Sequence, residues 1–285
     1  ICLLGQKPFA VSCVHSVTWK CKRNERKIMH TVLDLFSGIG GFSLGLENSN
    51  FSSNSNFSSN SNFFKTVAFC ETNPVAVKVL KKNWHDVPVF GDIKELTNET
   101  LQASGIVPTV ITGGFPCTNI SKASAGKQKG IVGESTGLWK EMLRVVKDVK
   151  PRWVLAENVS SLRSQGLAMV LQDLYEIGYL CEWHCISATN FGSPHHRSRI
   201  WLIARSNTNR NSQPVITFND EAQRLQEYNR FNKWQEESPV EPTVVGMVNG
   251  FSNRMDRLRL LGNALVPQIV EYIGTKIIEF EMQTT

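Results

Sequence analysis

Short apolar runs alternate with segments of helical periodicity through residues 31–204, and this alternation restricts the chain to few folds. Thr31–Phe36, Thr66–Cys70, Val87–Phe90, Thr109–Thr112, Trp153–Ala156 and Ile200–Ala204 read as strands. Gly40–Glu47, Pro74–Asn83, Leu138–Val149 and Leu162–Ile177 read as helices between them, with Pro74 at a tolerated first-turn position. Tyr179–Ser187 alternates, with Tyr179, Cys181, Trp183 and Cys185 on one face. Strands interleaved with helices predict an α/β fold built on a doubly wound, mostly parallel sheet. The pattern lapses over residues 206–253, which are polar with scattered Pro, Asn and Gln and read as a small separate module. It returns as an amphipathic helix over Val266–Met282. The expected organisation is a main domain over 29–205, the module, and a C-terminal segment over 254–285.

Composition bounds the rest. The 285 residues are 41% hydrophobic, enough for a substantial core. Seven scattered cysteines show no disulfide-framework spacing, which favours a reducing, cytoplasmic setting. The net charge of +6 suits a polyanionic partner without requiring one. No apolar run approaches the roughly 18 residues that span a bilayer, and the expected state is a monomer. The first methionine is Met29, and residues 1–28 mix Cys2, Cys13, Cys21 and Trp19 with a basic cluster from Lys20 to Lys27. The expectation is a native start at Met29, with 1–28 an upstream extension. Residues 48–63 repeat Asn-Ser-Asn-Phe-Ser-Ser, a polar sequence too short in period for a solenoid. It reads as an inserted surface loop over 48–64, cheap because closure entropy grows slowly with length.

Candidate chemistry falls at strand ends, where open α/β sheets bind ligands. Asp34-Leu35-Phe36-Ser37-Gly38-Ile39-Gly40-Gly41 is a glycine turn leading into a helix. It is either a ligand-cradling loop or a plain tight turn, and its spacing is not that of a dinucleotide fingerprint. Glu71 ends the second strand and Gly91-Asp92-Ile93 follows the third. Singly these are surface acids; together they outline a slot for a nucleoside, Glu71 toward a ribose diol and Asp92 toward an adenine amino group. Gly113-Gly114-Phe115-Pro116-Cys117 puts a thiol just past a buried strand. Such a cysteine is a small buried hydrophobe unless its surroundings make it a nucleophile. The loop 118–137 carries four glycines with Lys122, Lys127 and Lys129, and reads as a lid or a solvated loop. Glu157-Asn158-Val159 offers a carboxylate of raised pKa or a helix cap. In Pro194-His195-His196-Arg197-Ser198-Arg199, the two arginines share one face of a starting strand and can hold a base carbonyl or a phosphate. Cys181, His184, Cys185, His195 and His196 are close enough to weigh as a zinc site. Strand alternation sends Cys181 and Cys185 one way and His184 the other, so they read as core thiols.

In this order, the motifs resemble the DNA (cytosine-5) methyltransferase family over Thr31–Ala204 and Asn253–Ile273. Leu261-Gly262-Asn263-Ala264-Leu265-Val266-Pro267-Gln268 is similar to the family's final motif. The resemblance implies a Rossmann-like domain that uses S-adenosyl-L-methionine, with the C-terminal segment returning to complete the cofactor pocket. Phe36, Ser37, Gly38 and Gly40 match the methionine-side loop, Glu71 the ribose acid, and Asp92 and Ile93 the adenine contacts. Pro116, Asn263 and Ala264 join the cofactor set. Cys117 matches the nucleophile, Glu157 the acid on the flipped base, and Arg197 and Arg199 the assisting arginines. The implied partner is double-stranded DNA, read by the 206–253 module, whose Arg224, Tyr228, Arg230, Phe231, Lys233 and Trp234 suit the major groove. His195 stands where the family usually has Gln. Two other readings stay open: methylation of RNA, whose branch carries a Cys-Phe-Thr tripeptide absent here, and an inactive DNA- or cofactor-binding protein.

Overall fold

The computed structural model describes residues 30–52, 63–116, 134–193, 197–207 and 264–284. Among them, seven strands form one sheet: β1 (His30–Leu35), β2 (Phe64–Cys70), β3 (Val89–Phe90), β4 (Val110–Gly113), β5 (Trp153–Val159), β6 (Tyr179–Ser187) and β7 (Ser198–Ser206). Their order is β3-β2-β1-β4-β5-β7-β6. The first five are parallel, and β7 inserts antiparallel between β5 and β6. The chain therefore reverses its direction of winding between β1 and β4. That reversal opens a crevice above the carboxyl ends of these two strands.

The helices are α1 (Gly41–Ser52), α2 (Pro74–Asn83), α3 (Asn98–Ala103), α4 (Glu134–Val149), α5 (Leu162–Gln165), α6 (Leu167–Glu176) and α7 (Pro267–Thr284). Alternation along each strand divides the core between the two faces of the sheet. Leu33 and Leu35 of β1, Ile111 of β4 and Val154 and Ala156 of β5 pack with Trp139, Met142 and Val146 of α4. Val32, Val110, Trp153 and Leu155 point the other way, onto Phe42 and Leu46 of α1 and Ile269, Val270 and Ile273 of α7. Each fully buried Leu or Ile contributes about 1.5–3 kcal/mol, so neither layer is dispensable.

Helix α7 crosses α1 very closely, because small residues stand at the crossing. A Cβ on Gly45 would lie 2.4 Å from the Pro267 carbonyl oxygen, and one on Gly274 would lie 2.7 Å from Ser49 Oγ. Buried Glu281 fastens the far end of α7 to the sheet, accepting both Arg152 Nε and Nη2 and, at 2.9 Å, Trp153 Nε1. The crossing holds Leu265 against Gly41, at the start of α1, so this C-terminal segment reaches the head of the glycine turn. Gly45→Ala is expected to cost about 1–3 kcal/mol by overpacking, read as a lower denaturant midpoint with unchanged slope. An unchanged midpoint would mean that the two helices do not meet there.

Several sequence boundaries shift. Strand β5 runs to Val159 rather than ending at Ala156, so Glu157 lies within the strand: pairing with β7 continues past the apolar run. The helix expected over Leu162–Ile177 breaks at Gly166 into α5 and α6. Helix α1 continues to Ser52, so the first residues of the Asn/Ser repeat are helical rather than loop. Short α3 was not read from the sequence; a capping box between Thr97 and Thr100 starts it. Ser206, assigned to the expected module, closes β7 opposite Tyr179. Residues 208–253 of that module, the 1–28 extension and the 118–133 part of the glycine-lysine loop lie outside the described residues.

Candidate active site

A cleft of about 660 Å³ lies over the carboxyl ends of β1 to β5, within the range of small-molecule sites. Its floor is the turn after β1. Phe36 holds φ +50° there, a left-handed conformation uncommon for a bulky residue, and lines the cleft beside Ser37 and Gly38. Ser37 Oγ donates to the Asp34 carbonyl at 2.5 Å. The Gly38 N–H donates to Glu71 Oε2 at 2.7 Å, tying the turn to the end of β2. Glu71 Oε1 accepts the Asn73 N–H at 2.8 Å, so the carboxylate is fixed at the cleft wall. Asp92, Ile93 and Lys94 extend the wall beyond it, and Asp92 Oδ1 accepts the Lys94 N–H at 3.0 Å. Ala264 and Leu265 close the near side.

Gly40 departs from its expected place. It does not line the cleft; its φ is +86° and an added Cβ would come within 2.6 Å of the Trp84 ring. Both its left-handed conformation and the close approach of that ring require glycine here.

The other end of the cleft is built by register. Val159 of β5 pairs with Arg199 of β7 and Glu157 pairs with Trp201, so Glu157 and Arg199 are diagonal neighbours on one sheet face. Arg199 Nε lies 3.1 Å from Glu157 Oε1. The contact is electrostatic rather than an aligned hydrogen bond, and buried Oε1 has no hydrogen-bond donor among the described residues. Burial pushes the Glu157 carboxyl above the ordinary range, while Arg199 and then Arg197 pull it back. Arg197 also lines the cleft, and burial lowers its pKa.

Next to Glu157, Asn158 Nδ2 donates to the Phe115 carbonyl at 3.0 Å. Phe115 packs on Trp139 at 5.1 Å between ring centroids, and Trp139 Nε1 donates to Asp173 at 2.7 Å. Gly114 faces the carboxylate so closely that an added Cβ would sit 3.4 Å from Glu157 Oε2. Pro116, which lines the cleft, is therefore held on the same rim as Glu157. Cys117, one peptide bond beyond it, lies outside the described residues, as do Asn263, His195 and His196.

Asp34 was quoted in the glycine-turn motif but given no role. It shares the Val32 face of β1, fully buried beneath the start of α1. Its carboxylate accepts Thr112 Oγ1 at 2.7 Å and Ser43 Oγ at 2.9 Å. Burial pushes it up to about 7, against the two hydroxyls and the Ser43 amide, which pull it down. The folded state thus binds this proton more tightly than the unfolded chain, and stability falls as pH rises from about 4 through about 7. The full penalty is on the order of 4 kcal/mol. Urea unfolding of wild type and Asp34→Asn from pH 5 to 8 should show the wild type losing ground to the variant as pH rises. Parallel profiles would contradict this.

The cysteine-histidine cluster on β6 yields a correction. Cys181 is half-buried, with burial pushing its thiol up to about 12, but Cys185 is exposed rather than a core thiol, since β6 is an edge strand of the described sheet. Among the described residues, no three His, Cys, Asp or Glu side chains converge on a metal position, and no helix is long and apolar enough to cross a membrane.

Comparison with known proteins agrees with this geometry. Residues 30–254 match the model of the C-5 cytosine-specific DNA methylase family. The type II methyltransferase M.CviJI of Paramecium bursaria Chlorella virus IL3A is 28% identical over 254 residues, covering 89% of this chain and 60% of that protein. M2.BsuMI of Bacillus subtilis (strain 168) is 32% identical over 183 residues, covering 61% of this chain and 41% of that protein. The chain thus spans less than two thirds of either relative's length. Among solved structures, a prophage-encoded putative DNA modification methyltransferase from E. coli matches with a TM-score of 0.50 at 22% identity, covering 63% of this chain and 47% of that one. Spodoptera frugiperda DNMT2 matches at 0.51 and 21%, covering 67% and 54%. At those identities the likeness shows the fold.

Proposed function

Since this chain belongs to the C-5 cytosine-specific DNA methylase family, which uses S-adenosylmethionine, we propose that it methylates C5 of cytosine in a specific duplex DNA sequence through a covalent adduct on Cys117. The observation that carries this reading is the placement of Glu157 and Arg199 on one sheet face, on the same rim as Pro116. A thiol, a buried acid and a guanidinium are the three groups that cytosine C5 chemistry needs.

The cofactor fits the remainder of the cleft. Phe36, Ser37 and Gly38 suit the methionine end, Glu71 a ribose diol, and Asp92 and Ile93 the adenine, with Asn263 and Ala264 closing over it. Bound S-adenosylmethionine supplies an electrophilic methyl group. The chain's residues must make an electron-poor ring able to accept it. The Cys117 thiolate adds to C6, and the electrons pushed into the ring make C5 nucleophilic. Glu157, its carboxyl raised by burial, donates to N3 and accepts from the exocyclic amino group, offsetting the charge that builds on the ring. Arg199, with Arg197 beside it, holds the carbonyl side. After methyl transfer, loss of the C5 proton and expulsion of the Cys117 thiolate restore the aromatic base. A stacked base cannot reach a cleft at the strand ends, so the cytosine must be flipped out of the duplex. Lys122, Lys127 and Lys129 then have a task, contacting the DNA backbone with a salt-dependent contribution.

Incubation with methyl-labelled S-adenosylmethionine, duplex DNA and tRNA tests the substrate class. Label is expected in DNA alone; label in tRNA alone would overturn the reading.

A further inference from the structure

Arg144 of α4 reaches the turn that follows β3. Its Nη2 donates to the Ile93 carbonyl at 2.7 Å and its Nη1 to the Leu96 carbonyl at 2.9 Å. Both carbonyls belong to one tight turn, in which the Glu95 N–H donates to Asp92 O at 3.0 Å and the Leu96 N–H to Ile93 O at 3.2 Å. The guanidinium is steadied from its own helix. Its Nε donates to Glu141 Oε2 at 2.8 Å, and Asp148 lies 3.7 Å from Nη1. Asp92, Ile93 and Lys94 of the same turn line the cleft, while Arg144 stands behind them. The turn has little regular structure of its own, being flanked by a two-residue strand and a six-residue helix.

We propose that Arg144 is a positioning residue for the nucleoside end of the cofactor. By gripping two carbonyls of the turn at once, it holds Asp92 and Ile93 facing the cleft before the ligand arrives. A wall ordered in advance spares the ligand the entropy of ordering it. The grip depends on the planar, two-pronged geometry of arginine; a lysine ammonium is a single point of charge and reaches one carbonyl well. The inference rests on the assignment of the cleft to S-adenosylmethionine.

The test is calorimetric titration of the whole chain with S-adenosylmethionine. Arg144→Gln is expected to weaken binding about tenfold, since the two lost bonds hold the wall and not the ligand itself, with Arg144→Lys intermediate. Without ligand, the Glu95 and Leu96 amides should exchange faster in both variants. In turnover, KM for the cofactor should rise while kcat at saturation stays put. Wild-type affinity in Arg144→Gln would overturn the inference. So would weaker binding that merely tracks a lower thermal midpoint, with amide exchange at 95 and 96 unchanged. If the wild-type chain itself fails to bind S-adenosylmethionine, the cleft assignment fails first and this inference with it.

Discussion

Cys117→Ser should abolish methyl transfer, lowering the rate by about 10⁴-fold or more, because a serine hydroxyl is a far weaker nucleophile toward C6 at neutral pH. The same variant should lose the covalent complex expected of the wild type on duplex DNA containing 5-fluorocytosine in the presence of S-adenosylmethionine. Once C5 has taken the methyl group, expulsion of the thiolate requires loss of the other C5 substituent as a cation, which a proton allows and fluorine does not, so the adduct persists. Denaturing electrophoresis reads the result directly. A variant that still forms the adduct would remove Cys117 from the mechanism and with it the meaning of the Glu157–Arg199 pair on its rim.

Glu157→Gln carries the second-largest expected effect, a fall in kcat/KM of about 10² to 10⁴, the usual worth of a positioned acid. The pH profile distinguishes this role from simple packing. Burial raises the Glu157 carboxyl, and in the proposed mechanism its protonated form donates to N3. Activity should therefore decline as pH rises through that raised value, while the need for a Cys117 thiolate makes activity climb with pH on the acid side. Glutamine can still donate from its amide but cannot titrate, so the alkaline limb assigned to Glu157 should vanish in the variant. An alkaline limb unchanged in Glu157→Gln would assign that titration to another group.

The parts of this account legible in the sequence are those written in short-range pattern. Continuous apolar runs announced β1, β2, β4 and β5, and Asn73-Pro74 marked the start of α2, where Asn73 Oδ1 accepts the Val75 N–H at 2.9 Å. Glu71, Asp92 and Glu157 stand out in the sequence because each follows an apolar run, and strand ends are where such sheets bind ligands. What escaped depends on partners distant in sequence. Glu157 lies inside β5 only because β7 pairs alongside it, 44 positions away in the register with Trp201. Asp34 reads as one more letter of a glycine motif until Thr112 and Ser43 close over it. Arg144 looks like a surface residue on an amphipathic helix, since nothing nearby in the chain announces that its fork meets the carbonyls of Ile93 and Leu96. The resemblance puts Gly40 in the ligand loop, and nothing nearby in the chain announces that the ring of Trp84 packs against it.

The proposed task of this cleft is to deliver a methyl group to C5 of cytosine in DNA. The most direct measurement is nucleoside mass spectrometry of duplex DNA after incubation with the protein and S-adenosylmethionine. The expected modified nucleoside is 5-methyldeoxycytidine, absent when Cys117→Ser replaces the wild type. Methylation at the exocyclic nitrogen of cytosine, or at adenine, would contradict it, as would 5-methyldeoxycytidine formed equally well without the Cys117 thiol.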